Sequence, residues 1–323
     1  MGFRVGIVGL GMAVTPHARS LVDLKVEVAY AFSPSAARRA QFAKNFSFPQ
    51  CDRIETILED RSVHAVLILT PPNTHLELVE KFAAAGKHIL LEKPLEISLD
   101  RAERLVKACS RVKLGIVLQH RFRPGAQKLR EHLQDLGQIV SASAAIPNWR
   151  PQSYYDLPGR GTRARDGGGV LLTQGIHTLD LFLSLTGEPA EVKSFVTTTP
   201  VHRMETEDLA AAAVKFKSGA IGTVHATTTA YPGFPERIEL IGTKGTALLE
   251  GPSLKIAWSD GRNFEIKAEG GGTGADPMAF PHDWHRDLLA DFLDAIEKNR
   301  QPRISGEEAL KVHRFIDALL RSA

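Results

Sequence analysis

Two cysteines, Cys51 and Cys109, are all that 323 residues contain. Their spacing suits neither a disulfide framework nor a zinc site, so free thiols in a reducing compartment are expected. No apolar run approaches the roughly 18 residues that a membrane-spanning helix needs. The N-terminus enters a strand by Phe3 without a signal-peptide pattern, and a cytoplasmic location is expected. Long runs of one charge are missing as well. The 40 basic and 37 acidic residues are spread along the chain for a formal net charge of +3. That argues against nucleic acid or a membrane surface as the main partner. No internal repeat is present, and the one low-complexity patch, Gly270-Gly271-Gly272-Thr273-Gly274, reads as a mobile loop. What remains is an ordinary globular composition, 43% hydrophobic and 24% charged, long enough for two domains with filled cores.

The first 120 residues or so alternate strand and helix. Short apolar strands are expected at Phe3–Val8, Lys25–Phe32, His64–Leu69, His88–Leu91 and Leu114–Gln119. Thr74-His75-Leu76-Glu77 has capping-box spacing with Gly86 as the stop, and Ser98 can cap a helix running to about Arg111. Such alternation implies right-handed crossovers and a doubly wound parallel sheet. After Arg123 the texture changes. Strands at Ile139–Ile146, Val192–Thr199, Leu209–Phe216, Ile221–Thr229, Arg237–Ile241, Ala247–Glu250 and Leu254–Trp258 are joined by short, often glycine-bearing links. They predict a large, mostly antiparallel open sheet. A helix over Val170–Leu185 interrupts the set, and helices at Trp284–Glu297 and Glu307–Leu320, the second capped by Ser305, close the chain. The division expected is 1–122 for the first domain and 123–323 for the second.

Val5-Gly6-Ile7-Val8-Gly9-Leu10-Gly11 is a strand feeding a glycine turn. Gly9 permits the turn, and Gly11, followed by Met12, lets backbone approach a pyrophosphate at the next helix. The third glycine of the dinucleotide fingerprint is absent, with Val14 in its place. Also absent is an acidic residue at the end of the second strand, where it would hold the ribose of NAD. Ser33 stands there, with Arg38 and Arg39 on the next helix. Hydroxyl and guanidinium suit a 2′-phosphate, so NADP is favoured and NAD is left open. These arginines are equally readable as a solvated helix face.

His88–Leu91 delivers Glu92-Lys93-Pro94 to the carboxyl end of a buried strand, where ligands of open parallel sheets sit. On the later helix Thr173, His177 and Asp180 fall at i, i+4 and i+7, a polar stripe amid apolar residues. Such a histidine is often a hydrogen-bonded core residue, but here it shares its face with a carboxylate.

At these segments the chain resembles the Gfo/Idh/MocA family of NAD(P)-dependent oxidoreductases. The carrying residues are Gly9-Leu10-Gly11 with His17, Thr70-Pro71-Pro72-Asn73-Thr74-His75, Gly86-Lys87-His88 through Glu92-Lys93-Pro94, and Gly167-Gly168-Gly169 through Gly175-Ile176-His177-Thr178-Leu179-Asp180. The likeness runs on to Ser305-Gly306-Glu307-Glu308-Ala309. It implies a Rossmann domain, a C-terminal α/β domain whose open sheet commonly forms a homodimer or homotetramer interface, and hydride transfer at a carbinol or carbonyl carbon. It further implies that Thr70, Pro71, Asn73, His75, Glu92, Lys93 and Arg121 line the cofactor, and that Lys93 and His177 sit at the reacting carbon. Sugars, inositols and related compounds, some carboxylated, are the substrates implied.

Two departures stand out. Relatives often carry aspartate where Thr173 stands, in a relay for the substrate proton, and threonine cannot carry its charge. They often show Trp-Arg at Gly159-Arg160; Arg160 is expected still to reach the cofactor, while the missing indole leaves room near the substrate. Arg163 and Arg165 could bind an acidic substrate group or belong to a charged surface loop. His282, Asp283 and His285 supply no convincing ligand set, so no metal is expected. The competing reading is a cofactor-binding sensor or regulatory protein without turnover, for which Thr173 speaks and the retained Lys93 and His177 do not.

Overall fold

A computed structural model describes residues 2–268 and 281–322. The chain forms two compact units, Met1–Val117 with Pro281–Leu310, and Leu118–Phe280 with Lys311–Ala323. The glycine patch at 270–274 lies outside the described residues. No described helix is long and apolar enough to cross a membrane.

The first unit holds a six-stranded, wholly parallel sheet: β1 (Arg4–Val8), β2 (Glu27–Phe32), β3 (Gln50–Cys51), β4 (Ala65–Ile68), β5 (His88–Leu91) and β6 (Leu114–Ile116). Its order, β3-β2-β1-β4-β5-β6, is that of the doubly wound dinucleotide fold, with the topological switch between β1 and β4. Ala65 to Ile68 and Ile89 to Leu91 are fully buried, which is why these strands read as unbroken apolar runs. β3 is only two residues long, too short to leave a periodic signal.

The division differs from the expected 1–122 and 123–323, because Pro281–Leu310 belongs to the first unit. The Asp283–Glu297 helix buries Trp284, Leu288, Leu289 and Phe292 there. A Cβ on Gly115 would come within 2.8 Å of the Phe292 ring, so β6 accepts this helix only with glycine at that place. Ile116 N–H donates to Ile304 O at 2.9 Å, and Gly115 bridges Ser305. A helix far along the chain thus completes the first sheet's cover.

Among its described residues the second unit carries eight strands: β7 (Ile139–Pro147), β8 (Pro189–Thr197), β9 (Leu209–Phe216), β10 (Ile221–Thr227), β11 (Arg237–Gly242), β12 (Gly245–Glu250), β13 (Ser253–Trp258) and β14 (Asn263–Ile266). They lie in the order β14-β13-β12-β11-β7-β10-β9-β8, antiparallel except for the β7–β10 pair. Alternation decides the faces. Ala142, Ala144, Ile146, Val224, Ala226, Ile238 and Leu240 are buried, whereas Thr223, His225 and Ala257 on the other face are exposed.

Three local expectations are revised. The helix expected over Val170–Leu185 is two segments, Val170–Thr173 and Ile176–Thr186. Gly175 N–H reaches back to Val170 O at 2.7 Å, a wider turn that breaks the ladder. The capping box at Thr74 does not form: the Thr74 hydroxyl donates to Pro71 O or Thr70 Oγ1. The buried Glu96 carboxylate, distant in sequence, instead accepts from Leu76 N–H at 3.0 Å. Finally, the strand expected at Leu114–Gln119 stops at Ile116, and Gln119–Phe122 is a 3₁₀ turn.

Candidate active site

In the first unit the carboxyl ends of β1, β2, β4 and β5 bring the sequence candidates to one edge of the sheet. Gly9 has φ +106°, and a Cβ there would lie 2.9 Å from the Leu69 carbonyl, so only glycine fits this turn. A Cβ on Gly11 would meet nothing within 4 Å, and Met12 is exposed. The following helix, Val14–Asp23, begins without a side-chain cap. An open approach over uncapped N–H groups suits a pyrophosphate. At the end of β2, Ser33 is buried, its hydroxyl accepts from Ser35 N–H at 3.3 Å, and Arg39 donates to Ser33 O at 2.6 Å. Arg38, whose N–H meets the Ser35 hydroxyl, has an exposed side chain.

Past β4, Pro71 and Asn73 are exposed and Thr70 is half-buried, but His75 is wholly buried. Its Nε2 lies 2.9 Å from Thr70 O and its Nδ1 3.0 Å from Pro94 O. His75 therefore ties the loop after β4 to the loop after β5 and offers no surface to a ligand. Burial, only partly offset by those carbonyls, pulls its pKa below the ordinary histidine value.

Glu92 also turns inward. Its Oε1 faces His17 Nε2 at 2.8 Å, and its Oε2 accepts from Lys93 N–H at 3.0 Å. His285, from the Asp283–Glu297 helix, meets the His17 ring edge-on at 5.1 Å between centroids. One ligand-type atom from each of His17, Glu92 and His285 lies within 4.8 Å of the others. Among the nearby candidates, His282 is engaged at the surface, 2.7 Å from Asp23 Oδ2. Sequence reading names both His17 and His285 but has no means of joining them.

In the second unit Asp180 is buried and bound by Arg121 through two bonds, Nε to Oδ2 at 2.7 Å and Nη2 to Oδ1 at 2.6 Å. His177 stacks on His120 with centroids 4.8 Å apart and planes at 28°. Arg123 Nη2 lies 2.7 Å from His120 Nε2, and Arg123 also pairs with Glu236. A guanidinium only donates, so His120 Nε2 is the acceptor and the proton of a neutral ring sits on Nδ1. His120 and Arg123 escape the sequence reading. Their signal is the basic run His120-Arg121-Phe122-Arg123 directly after the last parallel strand.

Thr173 follows the helix break's geometry: its hydroxyl donates to Gly169 O at 2.6 Å, one turn back. Arg160 lies over the Tyr154 ring at 4.8 Å. The space expected beside Gly159 is taken, since a Cβ there would come within 2.5 Å of Arg165 Cδ. Arg165 also approaches Asp166 at 3.5 Å, while Asp166 accepts from Gly161 N–H at 2.9 Å. Arg163 donates its main-chain N–H to Glu205 at 3.1 Å, and its side chain lines a cavity of about 330 Å³ with Thr198, Thr206 and Glu207.

Comparison with known proteins accounts for both units. The model of the oxidoreductase family with an NAD-binding Rossmann fold matches residues 3–120, and that of the GFO/IDH/MocA C-terminal domain matches residues 126–248. Myo-inositol 2-dehydrogenase of Thermotoga maritima is 27% identical, over 94% of this chain and 91% of its own length. The scyllo-inositol 2-dehydrogenase (NAD(+)) of Bacillus subtilis is 29% identical, over 81% of this chain and 79% of its own. Among solved structures, the WlbA dehydrogenase of Bordetella pertussis, in complex with NADH and UDP-GlcNAcA, superposes with a TM-score of 0.85 at 25% identity, covering 100% of this chain and 97% of that one.

Proposed function

The chain belongs to the Gfo/Idh/MocA family of oxidoreductases, and from that premise we propose that it interconverts a carbinol and a carbonyl carbon of a sugar, polyol or related small molecule, with NADP as the preferred cofactor. Bound nicotinamide would supply or accept the hydride. Gly9, Gly11 and the uncapped helix start fit its pyrophosphate, as the open approach over Gly11 argues.

The observation that carries the reading is the placement of Lys93. It follows a strand whose Ile89–Leu91 are fully buried, at the ligand end of a doubly wound sheet, and its main-chain N–H is anchored by Glu92. In this reading the Lys93 amine accepts the hydroxyl proton during oxidation and returns it during reduction, with His177 the second acid–base candidate. Asp180 and Arg121 hold the helix that bears His177. Thr173, its hydroxyl bonded to Gly169 O, contributes no charge to the relay. That same feature is what favours the competing reading of a cofactor-binding regulator.

A screen of inositols, aldoses, anhydrosugars and sugar acids with NAD and NADP, followed at the nicotinamide absorbance, tests the proposal. Turnover lost in Lys93→Ala supports it; cofactor binding without turnover on any compound turns the reading to the regulator. The exposed face of the eight-stranded sheet, with Thr223, His225 and Ala257, supports pairing with a second copy. Light scattering of the parent and of Thr223→Arg tests this, and a monomeric parent refutes it.

A further inference from the structure

We propose that His17, backed by His285, is a positioning residue that orients Glu92 and through it the Lys93 main chain. The inference rests on the reading of Lys93 as the acid–base group for its catalytic meaning, but not for its geometry. The two Glu92 oxygens are divided between two donors. Oε1 meets His17 Nε2 at 2.8 Å, and Oε2 accepts from Lys93 N–H at 3.0 Å. A carboxylate fixed at one oxygen presents the other in one place. His17 is 1% exposed, and the His285 ring packs edge-on against it at 5.1 Å.

The electrostatics agree with a fixed, charged carboxylate. Burial opposes Glu92 ionisation, but the His17 hydrogen bond and the neighbouring Lys93 outweigh it, and its pKa lies below the usual carboxylate value. Burial pushes His285 down to about 3, so it packs against His17 as a neutral ring. The groups facing Glu92 are thus His17 from the Val14–Asp23 helix, His285 from the Asp283–Glu297 helix and Lys93 beside it, with His282 acting on His285.

The same three side chains could take a metal ion, but the contact distance favours the hydrogen bond. Tetrahedral zinc with ligands at ~2.0–2.1 Å would hold His17 and Glu92 atoms about 3.3 Å apart. They lie at 2.8 Å, the length of a bond between imidazole and carboxylate.

The direct test is the titration of Lys93 itself, which needs no turnover. Lysines of the full chain are reductively methylated with ¹³C-formaldehyde, and the Lys93 resonance is assigned by its loss in Lys93→Arg. A nearby carboxylate stabilises the protonated amine, so Glu92→Gln should lower the midpoint by about one unit. His17→Phe, which leaves Glu92 without its donor, should lower it in the same direction. His17→Gln, whose amide can still donate, should restore it. His285→Phe keeps an edge-on ring and should titrate like the parent, whereas His285→Ala should not. A parent-like midpoint in His17→Phe would overturn the proposal, whatever Glu92→Gln shows. So would stoichiometric zinc binding by the parent that disappears in His285→Phe, since that would make the cluster a metal site. A protein without turnover on every substrate class would refute the dehydrogenase reading and still leave this titration to decide the role of His17.

Discussion

Arg121 grips Asp180 with both ends of a guanidinium fork, and the two side chains are only 10% and 1% exposed. The resemblance to relatives implies that Arg121 is a cofactor contact. Its commitment to Asp180 makes it a brace for the His177 helix. Removing one partner of a buried pair leaves the other charge without compensation, at a cost of about 3–5 kcal/mol. Arg121→Ala should therefore lose stability of that order in urea denaturation while the cofactor Kd changes little. The opposite pattern, weaker cofactor binding at unchanged stability, would return Arg121 to the cofactor.

Lys93→Ala should lower kcat by about 10²–10⁴, the range for a positioned acid or base, and His177→Ala should do likewise. Binding of reduced cofactor, read by fluorescence, should survive in both because the Gly9–Gly11 turn is untouched. Near-parent kcat in Lys93→Ala removes the acid–base assignment; a His177→Ala change confined to melting temperature makes His177 structural.

Cofactor choice should turn on the end of β2. Ser33→Asp would set a carboxylate against a 2′-phosphate and offer one to a 2′-hydroxyl, reversing an NADP preference. Arg38→Ala should weaken NADP by about tenfold, the loss of one charge-assisted contact of about 1.5 kcal/mol, and leave NAD unchanged. Equal parent affinity for both cofactors defeats the NADP assignment.

Stability should fall as pH drops below the ordinary histidine range. Burial lowers the pKa of His75, His88 and His285, the last to about 3. Between the unfolded value near 6.5 and each folded value, the unfolded chain binds the extra proton, so stability rises with pH across that window. The buried His75 and His285 can each contribute up to about 1.4 kcal/mol per pH unit there, and the half-buried His88 less. For His285 the window runs from about 6.5 down to about 3. His285→Phe should flatten the melting-temperature profile over that range; an unchanged slope would mean that His285 is protonated in the folded protein.

If the substrate is anionic, Arg163 and Arg165 are the cations to test. Arg165 is partly occupied by Asp166 and by its packing on Gly159, so Arg163→Ala should have the larger effect on KM for a sugar acid. A lost charge-assisted contact raises KM by about tenfold or more when it is equal in ground and transition states. Paired neutral and acidic substrates provide the measurement. Neutral sugars preferred by the parent, with no change of ranking in either variant, rule out the anionic pocket.

The sequence by itself determined most strands of both sheets, but not β3, β14 or the strand order. Buried parallel strands such as His88–Leu91 show as short apolar runs because both faces are covered, and half-buried strands such as Ser253–Trp258 show by alternation. It also marked the Gly9 turn, because the positive φ there admits only glycine. Tertiary structure alone decided which partners the site residues meet. His17, Glu92 and His285 are scattered over nearly the whole length of the chain, and Asp180 finds Arg121 across 59 residues. His75 and Thr74, read as a ligand contact and a cap, became a strut between loops and a turn bond because distant Pro94 and Glu96 came within reach. Propensity and periodicity act over a few residues. Hydrogen bonds and ion pairs are settled by whichever donor and acceptor the packed core brings together.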